Sequence, residues 1–143
     1  MGVFKVKEIM FIDDDEIVKM VGAKVLKRID YTNEISYFSN GLEALENILY
    51  RINNNEIIIE SDPVLILLDI NMPKMDAWEF MNEFTLLAPE MKDKFKIIIV
   101  TSSFNPEDKS KAFSYKEIED YANKPLSAPF FKEFLMKHDY YSE

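Results

Sequence analysis

Short apolar runs alternate along this chain with segments whose apolar residues recur at helical spacing. The first run predicts a strand over 7–12, and Ile17, Val21 and Val25 predict a helix over 16–28. Ile35 and Tyr37 alternate with polar neighbours over 33–38, the pattern of a strand at a sheet edge. Leu42, Leu45, Leu49 and Ile52 mark one face of a second helix, which begins near Asn40 and stops at Asn53-Asn54-Asn55. The runs 64–68 and 96–100 are continuously apolar, as in parallel strands covered on both faces. Between them Ala77, Phe80, Met81, Phe84 and Leu87 predict a helix over 76–87, closed by Ala88-Pro89. Asn105-Pro106 offers a cap and first turn for a fourth helix reaching Tyr115. A short strand over 120–123 and a last helix over 127–138 complete the series.

Five strand–helix units without a break in composition predict one α/β domain, a parallel sheet with helices on both faces. A length of 143 residues suits a single domain, and 48% hydrophobic residues suffice for one core. Glu56-Ile57-Ile58-Ile59-Glu60 interrupts the alternation. It either extends the second helix or forms an insertion packed on the sheet edge.

The polar residues that matter stand where predicted strands end. Asp13-Asp14-Asp15 follows the first strand, Asp69 the third, Thr101 the fourth, and Lys124-Pro125 the fifth. Ligands of open parallel sheets bind outside the carboxyl ends of the strands. If the first and third strands are neighbours, Asp13, Asp14 and Asp69 converge and repel one another unless a cation offsets them. Hard oxygen donors of this kind suit Mg2+, which takes one or two protein carboxylates and keeps several waters. Lys124 on the other side and a Thr101 hydroxyl suggest an incoming phosphoryl group, with Asp69 as the nucleophile that forms an acyl phosphate. Each residue alone has a plainer reading. An aspartate before a helix is usually its cap, the preferred role for Asp15. A threonine after a strand is usually a turn residue, and Lys-Pro is a common loop pair. Their joint placement at strand ends favours the functional reading.

Composition removes other classes. The net charge of -9 argues against general nucleic-acid binding. With glycine only at Gly2, Gly22 and Gly41, no glycine-rich phosphate loop exists. Absence of cysteine excludes disulfides and thiolate metal sites. The N-terminus does not read as a signal peptide, and no run is long enough to span a bilayer, so a cytoplasmic protein without a membrane partner is expected.

At these residues the chain resembles the receiver domain of two-component response regulators. The strings that carry the likeness are Ile12-Asp13-Asp14, Leu67-Leu68-Asp69-Ile70-Asn71-Met72-Pro73-Lys74-Met75-Asp76, Val100-Thr101-Ser102-Ser103 and Tyr121-Ala122-Asn123-Lys124-Pro125, with Asn40-Gly41-Leu42-Glu43-Ala44-Leu45 at the second helix. They span about 7–138. The resemblance implies a flavodoxin-like, doubly wound five-stranded parallel sheet in the order 2-1-3-4-5. It implies Asp69 as phosphoacceptor, Asp13 and Asp14 as the acid pair for Mg2+ (Asp14 the more direct ligand), and the Asn71 carbonyl as a further ligand. Thr101 matches the switch hydroxyl, Tyr121 the aromatic switch, and Lys124 the lysine that pairs with the phosphoryl group. The implied donor is a histidine kinase or histidine phosphotransfer protein. Phosphorylation would reshape the face made by the fourth helix, fifth strand and last helix for a downstream protein target.

Three positions depart from the family. Ala77 and Glu117 replace usual glycines, and Ser102 replaces a common alanine. A tighter turn is expected at Ala77, and a left-handed helix end at Glu117 would be strained. The chain ends soon after the last helix, so a single receiver domain (1–143) without an output domain is expected, a monomer or a weak phosphorylation-dependent dimer. Trp78 lies off the buried stripe of its helix, and His138 reads as structural. Two alternatives compete. A phosphorylation-independent, receiver-like interaction module usually lacks the acid pair, the acceptor or the lysine, all present here. An aspartate-nucleophile phosphatase of the haloacid dehalogenase type would need a different continuation than Glu16-Ile17 after its Asp-x-Asp.

Overall fold

The computed structural model describes residues 2–143. The elements in chain order are β1 (Val3–Phe4), β2 (Glu8–Ile12), α1 (Glu16–Arg28), β3 (Glu34–Phe38), α2 (Gly41–Asn53), β4 (Val64–Leu68), α3 (Ala77–Phe84), α4 (Pro89–Lys92), β5 (Phe95–Thr101), α5 (Pro106–Ala112), β6 (Ile118–Asn123), α6 (Ala128–Lys137) and β7 (Tyr141–Ser142). The central sheet is five-stranded and parallel, in the order β3-β2-β4-β5-β6. Numbered by appearance among those five strands, this is 2-1-3-4-5, the flavodoxin-like order.

The continuously apolar strands lie inside because both their faces are covered. Met10, Ile12, Ile66, Leu68, Ile97 and Ile99 face the side of α2 and α3, against Ile48, Phe80 and Phe84. Ile9, Phe11, Leu65, Leu67, Ile98 and Val100 face the side of α1 and α6, against Leu26, Phe131 and Leu135. Successive strand residues thus feed opposite cores, as the pleat requires. Burial of this apolar surface, at about 25 cal/mol per Å2, is the main stabilising term.

Side-chain caps set where the helices begin. Asp15 Oδ1 accepts the Ile17 N–H at 2.9 Å, the expected capping role. Asn40, Asp76, Asn105 and Ser127 cap α2, α3, α5 and α6, and Asp76 with Glu79 closes a reciprocal capping box. The third helix is shorter than its apolar stripe predicts. It ends at Phe84, and Pro89 opens the short α4 instead of merely closing α3.

Several features differ from the pattern reading. Residues 56–60 do not extend α2: they form a loop in which Ile57 packs on the α2–α3 core while Ile58 and Ile59 stay half-exposed. Glu117 is not among the positive-φ residues, so no strained left-handed cap arises, and its carboxylate pairs with Lys92 of α4 at 3.1 Å. Ala77 is fully buried, and its N–H bonds the Ile70 carbonyl at 3.0 Å. Trp78 is half-buried, stacked on Tyr115 at 6.1 Å with the Lys111 ammonium over its ring. The chain ends also pair: β1 and β7 form a small antiparallel sheet, with Phe4 against Tyr141 at 4.6 Å.

At the amino edge of the sheet, Glu8 is 1% exposed in β2. Arg51 at the end of α2 grips it through two bonds of 2.7 and 3.0 Å, and the Ser36 hydroxyl of β3 donates a third. Burial alone would raise the Glu8 carboxyl, but Arg51 and Ser36 hold it below its ordinary value.

Candidate functional site

Register places the candidate residues together. β2 and β4 pair with Ile12 opposite Leu68, so the next residues, Asp13 and Asp69, emerge side by side. Two backbone bonds fasten this edge: Asp69 N–H to the Ile12 carbonyl and Asp13 N–H to the Phe38 carbonyl, both 2.9 Å. β5 pairs with β6 so that Thr101 faces Asn123, and the Lys124 N–H donates to the Thr101 carbonyl at 2.9 Å. One carboxyl edge thereby holds Asp13, Asp69, Thr101 and Lys124.

Asp13, Asp14 and Asp69 each bring a carboxylate oxygen within 4.8 Å of the others. Asp14 is exposed, whereas Asp69 is buried in the floor. The Lys124 ammonium reaches Asp13 Oδ2 at 2.7 Å and Asp69 Oδ2 at 3.4 Å. Burial and the neighbouring Asp13 charge push the Asp69 carboxyl up to about 6, against the opposing pull of Lys124 and the Ile70 N–H. Burial works against the charged Lys124, yet Asp13 and Asp69 keep it above its ordinary value. Three carboxylates facing one ammonium leave the site electronegative. That surplus and the hard oxygen donors fit a small divalent cation.

Thr101 is 1% exposed, and its Oγ1 accepts the Ser103 N–H at 3.2 Å. Tyr121 on β6 packs its ring against the α2–α3 core, and its hydroxyl is buried beside the Ser103 side chain without forming a well-aligned hydrogen bond. Asn71 lies exposed in the loop after Asp69. That loop turns at Lys74 (φ 65), where Met75 N–H bonds the Pro73 carbonyl at 2.7 Å. Gly41 at the start of α2 comes so close that its N–H bonds the Met75 carbonyl at 3.0 Å. A Cβ at Gly41 would stand 2.9 Å from that carbonyl oxygen, so only glycine fits without displacement.

Ser103 and Asn123 stand in the family-like strings and Asn105 as a helix cap, but the sequence does not show how they tie down the Thr101 loop. Ser103 Oγ donates to Asp108 at 2.6 Å and accepts the Asn105 N–H at 3.2 Å. Asn123 Nδ2 donates to the Ser103 carbonyl at 2.7 Å. The short polar side chains after β5 also read as an ordinary loop, so their mutual bonds carry no advance signal.

Fold and site define a flavodoxin-like domain with an acidic cluster, a threonine and a lysine on the carboxyl edge of its sheet. The response regulator receiver domain family matches residues 9–135, and the chain belongs to that family. A two-component response regulator from Cytophaga hutchinsonii is 26% identical, with a TM-score of 0.77 over 92% of this chain and 96% of that one. The Mn(2+)-bound form of response regulator Rcp1, a protein of Synechocystis sp., is 24% identical and shares the fold, with a TM-score of 0.68 over 94% and 93%. The probable methanogenesis regulatory protein FilR2 of Methanothrix harundinacea is 24% identical over 119 residues, 83% of this chain and 72% of that protein. The chain spans only 25% and 16% of two further curated relatives. Among the described residues, no helix is long and apolar enough to cross a membrane.

Proposed function

We propose that this protein accepts a phosphoryl group on Asp69 from a histidine kinase or histidine phosphotransfer protein and signals by a change of shape. The observation that carries the reading is the pairing of buried Asp69 with Lys124 beside the Asp13–Asp14 pair. Family membership supports it, since receivers take their phosphoryl group from histidine kinases. An Asp69 carboxylate oxygen attacks phosphorus as the bond to the donor imidazole breaks, and the ring nitrogen leaves with the electron pair. The attack needs the ionised carboxylate, which Lys124 favours. Asp13, Asp14, Asp69 and the Asn71 carbonyl would hold Mg2+, in keeping with the Mn(2+)-bound relative. When bound, the ion neutralises charge that builds on the transferring group. Lys124 then exchanges Asp13 for a phosphoryl oxygen, and the Thr101 hydroxyl donates to another.

Tyr121 supplies the second half of the proposal. Its buried hydroxyl is poorly satisfied where it sits, beside the Ser103 side chain of the Thr101 loop. Movement of Thr101 toward the phosphoryl group would let Tyr121 resettle and reshape the surface of α5, β6 and α6. That is a two-state element biased by new charge-assisted bonds. Its reader is a downstream protein target.

Intact-protein mass after incubation with acetyl phosphate tests the proposal. One added phosphoryl group is expected, dependent on Mg2+ and absent from Asp69→Ala. An unmodified native protein, even with the trapping analogue beryllofluoride, would instead favour a phosphorylation-independent interaction module.

A further inference from the structure

The chain's single histidine sits against the strand that carries Tyr121. His138 caps the end of α6 and is mostly buried, tilted against Phe134 (4.5 Å) and stacked with Tyr140 (6.1 Å). Its two ring nitrogens face two carboxylates. Nε2 lies 3.1 Å from Asp120 Oδ2, and Nδ1 lies 3.9 Å from Glu119 Oε1. Neighbouring residues of a regular strand point to opposite faces, so Glu119 and Asp120 should not both reach one ring. A bulge makes it possible: Ile97 pairs with Ile118 and Ile98 with Asp120, which leaves Glu119 as the extra residue.

Asp120 bridges two structures. Its Oδ1 accepts the backbone N–H of Tyr121 at 2.8 Å, while its Oδ2 faces the imidazole. A change at the ring is therefore one carboxylate away from the main chain of Tyr121. The other charged and titratable groups nearby are few. Lys137 reaches Asp120 Oδ2 at 3.5 Å, Tyr140 donates its hydroxyl to Glu119 at 2.5 Å, and Glu133 shares with Asp120 and Tyr121 the lining of a surface groove of about 330 Å3.

We infer that His138 is a positioning residue for Tyr121, acting through Asp120, and that proton uptake by His138 tightens the hold of α6 on the β6 bulge. The inference rests on the reading of Tyr121 as the switch aromatic. Neutral imidazole has one N–H and can donate to only one of the two carboxylates. The imidazolium can donate from Nε2 to Asp120 as a charge-assisted bond while its charge also attracts Glu119 from 3.9 Å. Proton uptake thus fixes the orientation of Asp120 and, with it, the peptide that starts Tyr121. The output face of β6 and α6 becomes stiffer in acid, and the aromatic moves less freely.

The test follows the Tyr121 backbone amide and the His138 ring by NMR from about pH 5 to 8, the range in which histidine changes charge. In the native protein the Tyr121 amide should shift in step with the ring. That component should disappear in His138→Gln. It should also disappear in Asp120→Asn, which keeps the imidazole and its aromatic stack and so separates positioning from folding. A Tyr121 amide that ignores the ring titration, or follows the same curve in either variant, overturns the inference. Acetyl phosphate labelling of the same samples reports on Asp69 independently. Loss of labelling in all three proteins would count against the proposed function, while the NMR result would still decide the role of His138.

Discussion

Lys124 lies closer to Asp13 than to the proposed acceptor, its ammonium 2.7 Å from Asp13 Oδ2. The lysine thus occupies charge that a divalent cation would otherwise neutralise. Lys124→Ala should therefore bind Mg2+ at least several-fold more tightly than the native protein in calorimetry, while acetyl phosphate labels Asp69 more slowly. Unchanged Mg2+ affinity would mean that Lys124 does not compete for the acidic cluster.

Asp69 makes the site sensitive to pH. Its carboxyl is raised to about 6 in the fold, so between roughly pH 4 and 6 the native state holds a proton that the unfolded chain has released. Stability of the metal-free protein should therefore fall as pH rises through that window, by at most about 3 kcal/mol from this group. Asp69→Asn removes the buried charge and should unfold at a higher urea concentration than the native protein at pH 7. Added Mg2+ should narrow the gap by stabilising only the native carboxylate. A variant less stable than the native protein at neutral pH would contradict this electrostatic account.

Glu8 and Arg51 act far from this chemistry, at the opposite end of β2. Arg51→Ala leaves a buried carboxylate without its partner and should cost about 3–5 kcal/mol. Because Glu8 is held below its ordinary value, the stabilisation it contributes is present above the unfolded carboxyl range and lost as pH falls through the lowered one. Denaturation midpoints at acid and neutral pH check both points, and labelling at Asp69 should survive wherever the variant is folded.

Gly41 connects α2 to the loop after Asp69. Gly41→Ala places a methyl group 2.9 Å from the Met75 carbonyl, and backbone on both sides cannot yield as a side-chain tip can. A cost of about 1–3 kcal/mol is expected from overpacking, together with slower labelling as the loop shifts. Thermal melts and labelling rates measured together would show whether the two effects travel together.

Much of this architecture was legible because it rests on local signals. Continuous apolar runs such as 64–68 announce buried parallel strands, and acidic residues at their ends announce the site. Helix starts were equally plain, Asp15 and Asn40 standing before periodic stretches and Asn105 before a first-turn proline. What stayed hidden depends on distant partners. β1 and β7 are two residues each, too short for any periodicity, and exist only because the chain ends meet. Glu8 looks like a misplaced charge in a strand until Arg51 arrives from 43 positions away. Glu117 looked strained where glycine is usual, yet it takes an ordinary backbone conformation and finds Lys92.

The most direct test of the central claim is to locate the phosphoryl group. Protein incubated with acetyl phosphate and Mg2+ is reduced with borohydride, which converts an aspartyl phosphate to homoserine, and the digested peptides are sequenced by mass spectrometry. The account predicts homoserine at position 69, and none there without acetyl phosphate. Homoserine at Asp13 or Asp14 instead, or at no aspartate, would contradict it.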